Sequence, residues 1–442
     1  MKLFYALIIL ITFQNCSFDN KTGIWKNEDK ITNKEDDLFA EFKTLTSENE
    51  SFNKIIQLNE NLKLTKPVFQ NNSDWKDIYF DDSNNLPNFK YNNLNQIVFK
   101  SKKITNYNVN NFLLFEENNL ITTDKKGNII IFSIKDNKIL NKFNFYKKKY
   151  KKIRKLLNII VENNIIYVSD NLGYVYALDY KNNKILWAKD YKIPFRSNLK
   201  ILNNKLIASN LDNILYFFNK KNGDTLKLIP TEETVIKNQF INNLSLNDKS
   251  LFFLNTYGSL YSVDINTMKI NWFVNLNQSI DMNASNLFSG SVIVNNKKDK
   301  IVVSSNQYTY IIDLTSGSII YKKNFISIIK PIIVNDYLFI LTNNNLLISM
   351  DLNNGNILYS YNVNEKISKF LDIKKKKVLY KDFMLANNQI IIFLKNSYIV
   401  KFNLNGNIDE VNKLPTKINS QPMIINNSIL YLDSRNKLSI VD

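Results

Sequence analysis

One short pattern recurs along most of this chain. The stretch from Leu347 to Val363 alternates apolar and polar residues on both sides of an Asn353-Asn354-Gly355 turn, which predicts a β-hairpin. Four copies share one register, in which an Asp precedes an aromatic residue by eight positions: Asp179 and Trp187, Asp264 and Trp272, Asp313 and Tyr321, and Asp351 and Tyr359. An internal repeat of this kind constrains the fold more than any other property of the sequence.

Weaker copies of the hairpin fill the gaps between the clear ones, with Ser133, Asn219 and Asn403 at the position of the Asp. From Ser133 to the terminal Asp442 the repeat averages about 44 residues, the length typical of a four-stranded propeller blade. A second pair of short apolar runs precedes each hairpin, so each unit has four strands. The sequence therefore predicts an all-β fold, an eight-bladed β-propeller of four-stranded antiparallel blades over residues 95–442.

The last of the eight units is one strand short. After Gln421 the chain contains three apolar runs and then ends at Asp442. The stretch from Gln96 to Lys102 is the one unassigned strand candidate before the first full blade. We expect this N-terminal strand to complete the eighth blade and close the ring, because an open seam would leave an unpaired sheet edge.

The N-terminal region differs in composition from the repeats. Residues 1–16 contain Lys2, an apolar stretch from Leu3 to Phe13 and Cys16, the single cysteine, which together predict a short secretory signal peptide. A lone cysteine at this position resembles the lipidated cysteine of bacterial lipoproteins, and Ser17 after it favours the outer membrane. An ordinary signal peptide is the alternative. Residues 17–94 are rich in Asn, Lys, Glu and Asp, and we expect a polar tether there.

A net charge of +18 raises the question of nucleic-acid binding. Only three of the 58 basic residues are arginines, whereas phosphate recognition favours the arginine fork, so no nucleic-acid partner is expected. The runs Lys147 to Lys155 and Lys374 to Lys377 lie between predicted blades. We interpret them as solvated loops, with anionic lipid headgroups or an acidic partner as the alternative.

Residue types exclude several kinds of chemistry. The chain has no histidine, one cysteine and no glycine-rich phosphate loop, so histidine catalysis, histidine metal sites and a disulfide within the chain are ruled out. The repeating Asp residues precede tight turns, where a carboxylate accepts backbone N–H bonds. The repeating aromatic residues are expected to pack between adjacent blades. No catalytic residue, metal, cofactor or small-molecule substrate is therefore expected.

The repeat resembles that of pyrroloquinoline-quinone-type propellers, and Asp313 to Gly317 and Asp351 to Gly355 are close variants of its turn. Quinoprotein dehydrogenases share this repeat with the BamB family, non-enzymatic lipoproteins of the outer-membrane β-barrel assembly machinery. The lipoprotein-like start, Trp75, the stretch from Asn84 to Asn88 and the eight weak repeats make this chain similar to the BamB family. The dehydrogenases typically carry a vicinal disulfide, which a single cysteine cannot form.

The resemblance implies a lipid-anchored scaffold on the periplasmic side of the outer membrane, which docks by propeller loops onto the periplasmic region of the barrel-inserting subunit. In this family an inter-blade loop carries an Arg used in docking, and Arg196 in the loop from Tyr191 to Asn198 matches it. The resemblance also places acidic contacts near Glu232 and Glu233. Aromatic and Arg residues commonly anchor interfaces, so Phe195 is expected to join Arg196 in docking.

Three alternatives stay open at this point. Phe195 and Arg196 are candidates for packing against their own blade instead of a partner. The whole chain is a candidate quinone-dependent dehydrogenase-like propeller, or a lipid-anchored propeller with another envelope partner. The geometry of the blades says only that the inter-blade connections and the loops between second and third strands emerge on one rim, while the Asp/Gly hairpins emerge on the other.

Overall fold

The computed structural model contains eight four-stranded antiparallel sheets, and the repeated hairpins form the outer halves of seven of them. The structure describes residues 51–442 except 61, 63, 235–239, 278–287, 328 and 375–376, together with the paired backbone strands Cys16–Phe18 and Trp25–Asn27. Residues 1–50 and 51–442 are separate units. The predicted signal peptide up to residue 15, the side chain of Cys16 and most of the predicted tether before residue 51 lie outside the described residues.

The eight sheets are the blades of an eight-bladed β-propeller, numbered here in chain order with strands given from the innermost to the outermost. Blades 1 to 4 are Leu114–Glu116, Asn119–Thr123, Asn128–Ser133 and Lys138–Asn144; Leu157–Glu162, Ile165–Asp170, Tyr174–Asp179 and Lys184–Asp190; Lys200–Leu202, Lys205–Ser209, Leu215–Asn219 and Thr225–Ile229; Asn243–Leu246, Ser250–Leu254, Ser259–Asp264 and Ile270–Asn275. Blades 5 to 7 are Val294–Asn295, Lys300–Ser304, Thr309–Asp313 and Ile319–Lys323; Ile332–Val334, Tyr337–Leu341, Leu346–Asp351 and Ile357–Asn362; Tyr380–Ala386, Gln389–Leu394, Tyr398–Asn403 and Ile408–Lys413.

Blade 8 is built from both ends of the propeller. Its inner strands are Met423–Ile425, Ser428–Leu432 and Lys437–Val441, and its outermost strand is Ile97–Lys103 from the N-terminal side. Ile97–Lys103 runs antiparallel to Lys437–Val441, with Lys100 opposite Ser439. The backbone N–H groups of Gln96 and Asp442 donate to each other's carbonyl oxygens at 3.2 and 3.0 Å, which extends the pairing to the chain terminus.

Among the described residues, two short helices lie in connections between blades. A single 3-10 turn, Lys148–Tyr150, lies between blades 1 and 2. The α-helix Val363–Leu371 lies between blades 6 and 7; the side chain of Asn362 caps its first turn, and Asp372 ends it in the left-handed conformation. The helices among the described residues are too short or too polar to cross a bilayer.

The Asp residues of the repeat cap their turns, as predicted. The carboxylate of Asp313 accepts N–H bonds from Thr315 at 3.0 Å and Ser316 at 2.7 Å. These backbone bonds, that from Ser316 first, lower the pKa of Asp313. Asp351 accepts an N–H bond from Asn353 at 2.8 Å in the next blade. These carboxylates therefore have a structural role.

The repeating aromatic residues pack on the turn of the following blade. Gly317 in blade 5 has a φ of +76°, and a Cβ there would lie 2.5 Å from the indole ring of Trp272 in blade 4. The indole N–H of Trp272 donates to the carbonyl of Leu314, 3.3 Å away. Tyr321 covers Gly355 in the same way one blade later. The Gly and the aromatic residue of the repeat therefore form one blade-to-blade contact, because only glycine leaves room for the ring.

Residues 51–94 do not form the expected tether, because they belong to the propeller unit and many of them are buried. Residues 72–92, called the plug below, follow the innermost strands once around the ring and contact the blades in order. The contacts are Trp75 with Phe115 in blade 1, Lys76 with Val161 in blade 2, Asp77 with Lys200 in blade 3, Asp82 with Leu246 in blade 4, Ser83 with Asn295 in blade 5, Asn85 with Ile333 in blade 6, Phe89 with Leu385 in blade 7 and Asn92 with Asn427 in blade 8.

The plug lies at the rim that carries the repeated Asp/Gly hairpins. It contacts the turns between first and second strands, for example through the N–H of Asn387, which donates to the carbonyl of Phe89 at 2.9 Å. In an antiparallel blade these turns emerge on the same side as the turns between third and fourth strands. The opposite rim carries the connections between blades. No backbone-to-backbone hydrogen bond of the plug reaches the described residues of that rim.

Candidate partner-binding rim

The predicted docking residues lie on the inter-blade rim, in the connections between blades 2 and 3 and between blades 3 and 4. The first connection follows Lys184–Asp190 and returns to the ring at Lys200–Leu202. Its backbone is fastened to blade 3: the N–H of Arg196 donates to the carbonyl of Ser209 at 3.0 Å, and the N–H of Leu211 donates to the carbonyl of Pro194 at 2.7 Å. The connection is therefore held in one conformation by the loop that it crosses.

Phe195 does not face a partner, which corrects the expectation from sequence. Its side chain is 1% exposed. The ring lies edge-on to Tyr191 and Tyr216, with centroids 5.7 and 5.4 Å away, and also contacts Phe218. Burying such an aromatic side chain stabilises the blade by about 2 kcal/mol. The alternative interpretation of the sequence, packing against its own blade, is the correct one for Phe195.

Arg196 lies at the surface of the same loop and is partly buried. Its guanidinium donates to the carbonyl of Phe240 at 3.2 Å, which ties it to the connection between blades 3 and 4. Burial lowers the pKa of the Arg196 guanidinium from its ordinary value. The structure thus places a positioned planar cation on the rim, a group that can bind a carboxylate with two parallel hydrogen bonds.

The side chains of Glu232 and Glu233 lie in different environments although the two residues are adjacent. The carboxylate of Glu232 accepts hydrogen bonds from Tyr261 at 2.5 Å, from Ser259 at 2.9 Å and from Asn255 at 3.0 Å, all in blade 4. Burial alone would raise the pKa of Glu232, but these hydrogen bonds outweigh it and the pKa is lowered. Glu233 is exposed. Glu232 therefore holds its own loop on blade 4, whereas Glu233 lies at the surface of the connection.

The centre of the ring contains charged groups that sequence analysis missed. The ammonium of Lys200 is fully buried and donates to Asp77, to the carbonyl of Asp81 and to Asn84, each at 2.7 Å. The ammonium of Lys330 donates to the carbonyl of Tyr79 at 2.9 Å. Both lysines belong to the ring and their acceptors to the plug. The sequence signal was a single Lys at or next to an otherwise apolar inner strand, and it does not reveal the partner.

Burial changes the acidity of two groups in this central region. Burial lowers the pKa of Lys330 to about 8, against the opposing effect of Asp382 and of the plug carboxylates. Burial also raises the pKa of Asp382 to about 6. Among the described residues no group of three or more His, Cys, Asp or Glu side chains has the spacing of a metal site. The central charges connect the ring to the plug, and they add to the backbone hydrogen bonds that hold the plug in position.

A family model supports the repeat pattern. The model for the outer membrane protein assembly factor BamB matches residues 113–361, more than half of the chain. The matched residues run from blade 1 to the last strand of blade 6. No curated protein matches the sequence.

Solved structures of three kinds are similar to this propeller. BamB from Moraxella catarrhalis aligns with a TM-score of 0.60 at 12% identity, over 78% of this chain and 99% of that one. The quinohemoprotein alcohol dehydrogenase from Comamonas testosteroni aligns with a TM-score of 0.59 at 9% identity, over 83% of this chain and 80% of that one. The computationally designed Ika8 protein aligns with a TM-score of 0.58 at 10% identity, over 78% and 99%. At these identities the similarity shows the fold alone.

Proposed function

The chain belongs to the family of the outer membrane protein assembly factor BamB, and from that membership we propose that it is a non-enzymatic scaffold subunit of the outer-membrane β-barrel assembly machinery. In this role the propeller docks through its inter-blade rim onto the periplasmic region of the barrel-inserting subunit. A lipid on Cys16 holds the protein at the periplasmic side of the outer membrane. No cofactor or small-molecule substrate takes part.

The main support for this proposal is the set of hydrogen bonds that holds Arg196 in place on the rim. The backbone of Arg196 is bonded on both sides, because its carbonyl also accepts the N–H of Asn242 at 2.9 Å. The guanidinium is oriented by the carbonyl of Phe240. A side chain held in this way loses little conformational entropy when a partner binds, which favours affinity. Arg196 and Glu233, which lies on the next connection, are together called the Arg196 sector. This sector presents a cation and an anion, so it suits a partner surface that carries both charges.

The plug favours a scaffold role for the protein over an enzymatic role. It covers one end of the ring, and its side chains bind side chains of the ring. For example, Asp77 and Asn84 of the plug accept hydrogen bonds from Lys200 of blade 3. A propeller with its centre bound to its own chain offers its rim loops for recognition. The similarity to the quinohemoprotein alcohol dehydrogenase concerns the fold.

A pull-down with the purified barrel-inserting subunit tests the proposal. We expect Arg196→Ala to weaken the complex roughly 30-fold, about 2 kcal/mol, as is typical for an interface anchor. Arg196→Lys should recover part of the binding, since Lys keeps the charge but not the fork. Arg435→Ala on the rim of blade 8 is the matched control and should bind as the unchanged chain does.

Thermal unfolding of each variant separates docking from folding. Arg196→Ala loses the bond to Phe240, which costs about 1 kcal/mol of stability. Full binding by a chain carrying both Arg196→Ala and Glu233→Ala would move the interface to another part of the ring. Tight binding of pyrroloquinoline quinone with calcium, or capture of the barrel-inserting subunit by no form of the chain, would favour the dehydrogenase-like or other-partner alternatives.

A further inference from the structure

The connection between blades 1 and 2 is a strongly basic part of the inter-blade rim. Its cations are exposed and have no carboxylate partner among the residues that the structure describes: Lys147, Lys148, Lys149, Lys151, Lys152 and Arg154. Two large apolar side chains, Ile153 and Leu156, are exposed in the same segment. The segment therefore combines unpaired positive charge with apolar surface.

The connection between blades 6 and 7 repeats this combination. The helix Val363–Leu371 buries Val363 and Ile367 against the ring. Its last turn and the residues after it carry the exposed cations Lys369, Lys374 and Lys377. Four large apolar side chains are exposed beside them, with Phe370 and Leu379 at 48% and 57% exposure, together with Leu371 and Ile373.

The two segments are joined along the rim by further exposed cations. Lys395 lies in the loop between second and third strands of blade 7, Arg435 in that of blade 8 and Lys126 in that of blade 1, and Lys417 lies between blades 7 and 8. This stretch of rim, from the connection after blade 6 to the connection after blade 1, is called the basic arc. Across the ring, the corresponding loops of blades 4, 5 and 6 (residues 255–258, 305–308 and 342–345) contain no charged residue.

We propose that the basic arc binds the surface of a bilayer rich in anionic lipid. Cations at lipid headgroups gain electrostatic attraction, and neighbouring aliphatic and aromatic side chains gain by entering the boundary with the acyl chains. The arc supplies both at its two ends, through Ile153 and Leu156 at one and Phe370 and Ile373 at the other. This interaction requires neither a lipid on Cys16 nor the partner site at Arg196, which lies outside the arc.

The residue types favour a bilayer over other anionic partners. Nucleic-acid phosphates are commonly recognised by Arg forks, whereas most cations of the arc are lysines, which act as point charges. An acidic protein would pair with the lysines but would leave the exposed apolar side chains at both ends unexplained. Cations that form a diffuse field, beside apolar side chains on the same rim, suit a fluid and extended surface.

Vesicle binding by the full chain tests the proposal. Every protein carries Cys16→Ser, so that no acyl chain contributes, and binding is measured to phosphatidylcholine vesicles with and without 30% phosphatidylglycerol. The arc variant changes five exposed lysines to Gln: Lys148, Lys151, Lys374, Lys377 and Lys395. The matched control changes five exposed lysines in or beside the hairpin turns of the opposite rim: Lys135, Lys138, Lys184, Lys221 and Lys269.

We expect the arc variant to lose at least 100-fold in binding to the anionic vesicles, since each Lys near such a surface is worth roughly fivefold. The control should lose less than about threefold, because its charges lie on the rim that faces away. About 0.5 M salt should abolish the preference for anionic vesicles. An equal loss in the two variants, or no preference for anionic vesicles in the parent chain, would overturn the proposal.

A single thiol reports which surface enters the bilayer. In the same Cys16→Ser chain, Phe370→Cys carrying an environment-sensitive dye should shift to shorter emission wavelength with anionic vesicles, and Lys221→Cys carrying the dye should not. Binding without a shift at position 370 would assign the contact to another surface. Tighter binding to polyglutamate or to duplex DNA than to the anionic vesicles would replace the bilayer by an acidic protein or a nucleic acid as the partner.

Discussion

At the scale of residues, the repeat is a set of three side chains with separate physical roles. Asp313 binds the amides of its turn, Gly317 supplies a positive φ, and the aromatic residue of the preceding blade, Trp272, covers that glycine. Glu232 is a further polar residue with a structural role, because it accepts three side-chain hydrogen bonds from blade 4. Its ionised form is therefore more stable in the folded chain than in the unfolded one.

This difference predicts an acid-dependent contribution of Glu232 to stability. The folded pKa is lowered below the ordinary value of 4.5, so the contribution is complete above about pH 4.5 and is lost as the pH falls through the folded pKa. Urea unfolding should show Glu232→Gln to be less stable than the parent at pH 7 and to approach it at low pH. Glu233→Gln, at the exposed neighbour, should change stability by less than about 0.5 kcal/mol. A difference for Glu232→Gln that is independent of pH would contradict this role.

At the scale of elements, the plug is the segment that connects the eight blades at the centre of the ring. It contacts all eight blades in chain order, through its backbone or through side chains, so it fixes the innermost strands relative to one another. The connection to blade 3 is a buried ion pair between Lys200 and Asp77, in which the lysine also binds Asp81 and Asn84. A buried pair of this kind adds little net stability over an apolar contact but is costly to break on one side.

We therefore expect Lys200→Met to destabilise the protein by about 3–5 kcal/mol, because it leaves the carboxylate of Asp77 buried without a cation. Adding Asp77→Asn to this variant should restore part of the loss. Lys297→Met is the control: Lys297 pairs with Asp81 at 2.9 Å, but both side chains are partly exposed, so a change below about 1 kcal/mol is expected. Denaturant midpoints measure all three. Equal losses for the two single variants would show that the plug is not held by its buried pair.

At the scale of the whole molecule, the ring closes by pairing sequence-distant strands and its rim is divided by charge. The seam in blade 8 joins Ile97–Lys103 to Lys437–Val441. The rim then combines the Arg196 sector on one side with the basic arc on the other. Under the two proposals above, this division places the protein-binding and the membrane-binding surfaces on different parts of the rim, so that one propeller could bind both at the same time.

A disulfide across the seam tests the closure. Lys100 and Ser439 face each other across it, as Val175 and Lys189 do in the outer hairpin of blade 2. In a Cys16→Ser chain, oxidation of the pair Lys100→Cys and Ser439→Cys should stabilise by about 6 kcal/mol relative to its reduced form, against about 3 for the pair Val175→Cys and Lys189→Cys, since the seam closes a much longer loop. Melting of oxidised and reduced forms measures both. A seam pair that fails to oxidise, or gains no more than the control, would contradict the pairing.

The sequence by itself determined the number and architecture of the blades and the role of their turns. These depend on alternation, on turn residues and on a fixed spacing from Asp313 to Tyr321 and its equivalents, all of which are local along the chain. The same locality explains why Ile97–Lys103 could be assigned to the last blade, since a strand with no neighbour in sequence pairs where an edge remains.

The tertiary structure alone decided what residues 51–94 do and which rim residues face outward. Their polar composition predicts a tether, yet the plug is held by partners far away in sequence, such as Lys200, 123 residues from Asp77. The residue type of Phe195 predicts an interface anchor, but the side chain is buried among aromatic residues of blade 3, the blade on which its own loop packs. Ring closure brings the segments around Lys148 and Lys374 onto one half of the rim. Contacts of this kind depend on the position of every blade, and no local pattern encodes them.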